Sequence, residues 1–96
     1  MKQQQPAKPG VGGGRPALAL YHLEYCPYCR RVRDALAGMK LAIELRDVDA
    51  SQRHADELIA GGGKDQVPCL RIQQPDGAVQ WLYESSDIIA YLNSIA

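Results

Sequence analysis

The feature that most limits the folds open to this chain is the tetrapeptide Cys26-Pro27-Tyr28-Cys29, which lies just beyond the apolar run Ala17 to Leu23. The run ALALYHL is short and bounded by Pro16 and Pro27, the signature of a buried strand. Pro27 then stands where a first helical turn begins, a place where its missing N–H is no loss. Val32, Ala35, Leu36 and Met39 recur at helical spacing, with Gly38 near the end. A strand therefore delivers two cysteines to the start of a helix. The first sulfur lies beyond the helix N-terminus, where unpaired amides and the helix dipole favour negative charge. Cys26 is accordingly the candidate nucleophile, held as a thiolate, with Arg30 and Arg31 expected to assist. Cys29, one turn inside and more covered, is expected to stay protonated until it attacks a disulfide formed on Cys26.

Plainer readings of the pair are a permanent disulfide or half of a zinc site. A structural zinc site needs four ligands, and only Cys69, His22 and His54 remain, with no second close pair. No metal is expected. Three cysteines, two of them in CxxC, suit redox chemistry better than a disulfide scaffold.

The rest of the chain alternates strand and helix signals. Residues 42–48 read as a second strand with Ile43, Leu45 and Val48 as its apolar positions. The segment SQRHADELIA reads as a second helix that Asp49 or Ser51 caps, with Ala55, Leu58 and Ile59 on one face, stopped by Gly61, Gly62 and Gly63. Residues 67–73 and 78–83 form two strands joined by the turn Pro75-Asp76-Gly77, hence an antiparallel hairpin. Ser85 or Ser86 then caps a last helix whose apolar face is Ile88, Ile89, Leu92 and Ile95. Two strands joined by a helix require a right-handed parallel crossover. The order β-α-β-α-β-β-α thus gives an α/β domain with a four-stranded mixed sheet flanked by three helices, the minimal thioredoxin-like fold. Residues 17–96 form this domain. Residues 1–16, with a Gln triplet and several Gly and Pro, hold too little apolar surface to offset their ordering entropy and are read as a flexible tail.

With 96 residues there is room for one core. Eleven basic and eleven acidic residues cancel, so no overall field would gather nucleic acid or an anionic membrane. No apolar run approaches the roughly 20 residues that span a bilayer. No apolar leader follows Lys2 and Lys8, so a cytoplasmic setting is expected. A monomer is expected as well.

CPYC after a strand, with Val67-Pro68 before a later strand, resembles the glutaredoxin family over residues 17–95. The stretch Val67-Pro68-Cys69-Leu70, with Glu84-Ser85-Ser86-Asp87-Ile88-Ile89 and Tyr91-Leu92, is also similar to the N-terminal domain of glutathione transferases. The resemblance implies a cis bond at Pro68 beside the active disulfide, and a backbone at Val67 that pairs with bound peptide. It also implies that Glu84, Ser85 and Ser86 hold the γ-glutamyl carboxylate of glutathione at a helix N-terminus. Tyr28 would shape the rim. Leu23 stands where many glutaredoxins carry Lys, and Gln66 where Thr is common. The expected activity is glutathione-dependent thiol–disulfide exchange on protein disulfides and glutathione mixed disulfides. The partners are glutathione and disulfide-containing or glutathionylated proteins. The alternatives are a dimer that holds a [2Fe–2S] cluster through Cys26 and glutathione, and an interaction module in which the CxxC is vestigial. With the chain ending at Ala96, a transferase helical domain and conjugation activity are not expected.

Cys69, in an apolar strand, reads as a small buried hydrophobe. Trp81 reads as hairpin packing. His22 and His54 are read as incidental.

Overall fold

The computed structural model describes residues 15–96. Most of the expected tail, residues 1–14, lies outside them. Strand β1 (Ala17–His22) leads to helix α1 (Pro27–Leu36), then β2 (Ile43–Asp47), α2 (Gln52–Glu57), β3 (Cys69–Gln73), β4 (Val79–Tyr83) and α3 (Ser85–Ile95). The sheet order is β2-β1-β3-β4. β1 and β2 are parallel, while β1–β3 and β3–β4 are antiparallel. This is the expected mixed sheet. No described helix is long and apolar enough to cross a membrane.

Alternation along the strands sends side chains to two separate cores. Leu18, Leu20, Leu70 and Ile72 meet Val32 of α1 and Ile88 and Leu92 of α3 on one face. Ala19, Tyr21 and Cys69 meet Leu58 on the other. Each fully buried aliphatic side chain here contributes about 1.5–3 kcal/mol relative to exposure.

The second helix departs most from expectation. α2 has six residues and passes into a π-helical turn, Leu58–Gly62, closed by Gly63 in the left-handed region at φ 82°. The widened turn lets the backbone lie against the sheet. A Cβ on Gly61 would run into the Trp81 indole, and one on Gly62 into the Tyr83 hydroxyl. Of the expected apolar face only Leu58 is buried; Ile59, within the π turn, is 48% exposed. Ser51 occupies the N-cap without a side-chain capping bond. Leu45 is 49% exposed, since it stands on the edge strand β2 beyond the cover of the helices.

The hairpin turn is as expected. Gly77 adopts φ 95°, its N–H donates to the Gln74 carbonyl at 2.8 Å, and the Ala78 N–H donates to Asp76 Oδ1 at 2.9 Å. α3 corrects the capping assignment. Its N-cap is Glu84, at φ 75° and ψ 119°, and Ser85 is already the first helical residue.

Candidate functional site

Strand register places every candidate at one end of the sheet. Tyr21 of β1 lies opposite Cys69 of β3, which lies opposite Tyr83 of β4. The turn leaving β1 toward Cys26, the Val67-Pro68 pair entering β3 and Glu84-Ser85-Ser86 leaving β4 therefore all emerge from the same edge of the core.

Cys26 is the N-cap of α1, with Pro27 as the first helical residue. Its carbonyl accepts the first helical bond from the Arg30 N–H at 2.9 Å, and its own N–H donates to the Leu23 carbonyl at 3.3 Å. The Cys29 N–H points at Cys26 Sγ at 3.4 Å, where a capping oxygen would ordinarily stand. Burial acts to raise the Cys26 thiol. It is outweighed by hydrogen bonds from the Cys29 side chain and from the amides of Cys29 and Tyr28, joined by the charge of Arg33, and the thiol is held below its ordinary value. Cys29 is fully buried, and that burial, with its bond to the Cys26 sulfur, pushes it up to about 12. The two sulfurs are thus differentiated, Cys26 held low and Cys29 pushed up to about 12, and both cysteines are free.

The cation that matters is not the one read from the sequence. Arg30 pairs with Asp34 at 3.8 Å on the exposed face of α1, and Arg31 is exposed. Arg33, one turn past Cys29, instead reaches back under the turn. It donates through Nη1 to His22 Nδ1 at 2.9 Å and to the Leu23 carbonyl at 3.1 Å, and through Nη2 to the Glu24 carbonyl at 2.9 Å. His22 is not incidental. It is 3% exposed, and burial followed by the Arg33 charge lowers its basicity, against opposing pulls from Asp47 and Glu24. Arg33 is not singled out by the sequence, because the strand end that it meets is visible only in three dimensions.

The ligand atoms of His22, Glu24 and Asp47 lie within 4.8 Å of one another. This cluster is a poor cation site. Arg33 donates to Nδ1 of the imidazole, which places the proton of the neutral ring on Nε2, and Asp47 Oδ1 already accepts the N–H groups of Asp49 and Ala50.

The remaining candidates fall into two groups. Val67-Pro68 is a cis peptide; Pro68 is buried and Val67 is half-buried. Gln66, just before them, donates from Nε2 to Glu84 Oε2 at 3.4 Å, so the two loops that enter β3 and leave β4 touch. Glu84 is the one described non-glycine residue with positive φ, a conformation that costs about 1–3 kcal/mol and concentrates at ligand clamps. Ser85 is 8% exposed, while Ser86 is exposed beside it. Tyr28 is 60% and Tyr25 74% exposed, two aromatic rings open to solvent on either side of Cys26.

Cys69 is fully buried beside Tyr83. Burial pushes its thiol up to about 11, and the Tyr83 hydroxyl is likewise pushed up to about 12. On the sheet face that carries α2, a cleft of about 420 Å³ is lined by Tyr21, Arg46, Glu57, Arg71, Gln73 and Trp81, none of them a candidate named above.

Comparison with known proteins agrees with this arrangement. A maleylacetoacetate isomerase from Anaeromyxobacter dehalogenans 2CP-1, solved with bound GSH in its active site, superposes with a TM-score of 0.64 at 29% identity. The match covers 86% of this chain and 39% of the isomerase, so the chain spans well under half of that relative. A disulphide isomerase from Xylella fastidiosa Temecula1 gives a TM-score of 0.62 at 20% identity, over 84% of this chain and 78% of the other. Glutaredoxin from Brucella melitensis gives 0.56 at 19% identity, over 88% and 86%. The last two establish the thioredoxin-like fold. A search of curated proteins finds no match. The sequence pattern described as "Glutathione S-transferase, N-terminal domain" matches residues 20–96, from β1 through α3, and so takes in the CPYC turn, the cis-proline and the Glu84-Ser85-Ser86 corner together. With the pattern spanning nearly all the described residues, this chain belongs to the glutathione S-transferase N-terminal domain family.

Proposed function

We propose that this protein is a glutathione-dependent dithiol oxidoreductase that reduces protein disulfides and glutathione mixed disulfides through Cys26 and Cys29. The observation that carries this reading is the unequal pair of sulfurs at the start of α1: a half-exposed thiol held low, whose sulfur accepts the Cys29 backbone N–H at 3.4 Å, and a buried one pushed up to about 12. A conjugating transferase needs no second sulfur there.

The Cys26 thiolate attacks one sulfur of the substrate disulfide. A Cys26–substrate S–S bond forms, the original S–S bond breaks, and the leaving sulfur departs with the electron pair as a thiolate. Cys29 then attacks Cys26 Sγ. Its proton passes to the second departing thiolate, and the pair is left as a disulfide. One glutathione thiolate opens that disulfide, and a second resolves the resulting mixed disulfide to oxidised glutathione, which restores the dithiol. On this reading glutathione lies along the Val67-Pro68 backbone and its γ-glutamyl carboxylate meets Glu84, Ser85 and Ser86 at the start of α3, a helix N-terminus whose free amides favour an anion. The solved isomerase with bound GSH supports glutathione as the ligand. A reducing, cytoplasmic setting suits such a cycle.

Glutathione-coupled reduction of a small glutathione mixed disulfide tests the reading with wild type, Cys26→Ser and Cys29→Ser. Cys26→Ser is expected to be inactive and Cys29→Ser to retain activity, because glutathione itself can resolve the intermediate on Cys26. Turnover that survives in Cys26→Ser sinks the assignment.

A further inference from the structure

The Arg33 guanidinium binds three consecutive residues of the segment that delivers Cys26: the His22 ring, the Leu23 carbonyl and the Glu24 carbonyl, all between 2.9 and 3.1 Å. The Leu23 carbonyl is also the acceptor for the Cys26 N–H. One side chain, anchored one turn past Cys29, therefore ties the end of β1 to α1 and fixes the peptide from which the Cys26 amide hangs. A planar, five-donor fork is suited to holding several acceptors at once, which a lysine ammonium on a flexible stem is not. Among the described residues, no carboxylate lies within ion-pair distance of Arg33, whereas Arg30 and Arg46 both have acidic partners. Its charge remains available to the nearby sulfur.

We infer that Arg33 is the positioning residue of this site, holding the turn between β1 and α1 so that Cys26 stays at the helix N-terminus and supplying the positive charge that favours its thiolate, with neutral His22 as its fixed acceptor. The inference rests on Cys26 being the working sulfur. His22 is faced by Arg33 from α1, by Asp47 from β2 and by Glu24 from the turn. Cys26 is faced by Cys29, the Tyr28 amide and Arg33.

The test is the pH dependence of iodoacetamide alkylation at Cys26, followed by mass spectrometry on the reduced full chain, which needs no disulfide substrate. In Arg33→Met the midpoint is expected to rise, with the rate at pH 7 falling about three- to tenfold and the high-pH plateau kept. Arg33→Lys, which keeps the charge but loses the fork, is expected to fall between the two, and it decides the matter if Arg33→Met does not fold. Arg30→Met, which loses only the bond to Asp34, is expected to match wild type. A wild-type midpoint in folded Arg33→Met, a wild-type midpoint in Arg33→Lys where Arg33→Met fails to fold, or an equal shift in Arg30→Met would overturn the role of Arg33 alone. A wild-type midpoint as high as that of a free thiol, about 8.5, would instead overturn the Cys26 reading beneath it.

Discussion

The amide of Cys29 approaches the sulfur of Cys26 at 3.4 Å, so a thiol stands where helices normally place a Ser, Thr or Asp oxygen. The same contact that stabilises negative charge on one sulfur lies next to a second sulfur that burial keeps protonated. One dose of iodoacetamide at pH 7 should therefore label Cys26 and leave Cys29 and Cys69, pushed up to about 12 and about 11, unlabelled in the folded protein. All three should react in denaturant. Peptide mass mapping checks both, and label on Cys69 in the folded chain would contradict its burial.

His22 gives the fold an acid limit. Its basicity is lowered below the ordinary value of 6.5 in the folded state, so in that window the unfolded chain binds the extra proton. Its contribution to stability is full above 6.5 and is lost as the pH falls through the lowered folded value. Urea midpoints measured downward from pH 7 should decline from this source, and the decline should be shallower in His22→Asn. Equal slopes in the two proteins would contradict it.

Tyr21 closes a part-buried polar triangle. Its hydroxyl donates to Glu57 Oε1 at 2.9 Å and accepts from Arg46 Nη1, which also reaches Glu57 at 3.2 Å. Arg46 Nε already lacks a partner. Tyr21→Phe should destabilise the protein by about 1–3 kcal/mol, because it removes the hydroxyl's hydrogen bonds to two charged partners, Glu57 and Arg46, without changing the packing. Urea denaturation reads this directly.

Gly61→Ala tests the π turn. The added methyl has nowhere to go but into the Trp81 ring, an overpacking that typically costs about 1–3 kcal/mol. Trp81 is the sole tryptophan, so a change in its emission should accompany the loss of stability. The same substitution at Gly38, which meets nothing within 4 Å, should leave both unchanged.

The hydrophobic periods, Pro27 and the Pro75-Asp76-Gly77 turn were enough to read the strand and helix order, because each is a local signal that tertiary packing reinforces. Cys26 and Cys29 were legible at a helix start for the same reason, whereas the cis bond at Val67-Pro68 was implied by the family resemblance alone. Local pattern could not show that Gly61 and Gly62 serve a close approach of helix to sheet rather than a stop, since that depends on Trp81 and Tyr83 two elements away. Nor could it separate Arg33 from Arg30 and Arg31. All three are basic residues on one helix, and only the position of His22 at the end of β1 decides which of them turns inward. Ser85 and Ser86 showed that a helix begins nearby, but a positive φ at a glutamate is a decision of the whole corner and left the capping position one residue off.

The reverse turn at Gln74 to Ala78 sits at the opposite pole of the sheet from the reactive sulfur, yet it sets how β4 slides against β3, and with it whether Glu84 comes alongside Gln66. A slip of that pairing by one step would turn Trp81 and Tyr83 to the opposite face of the sheet. The chain would then keep its CPYC sequence and lose the meeting of the two loops that Gln66 and Glu84 join.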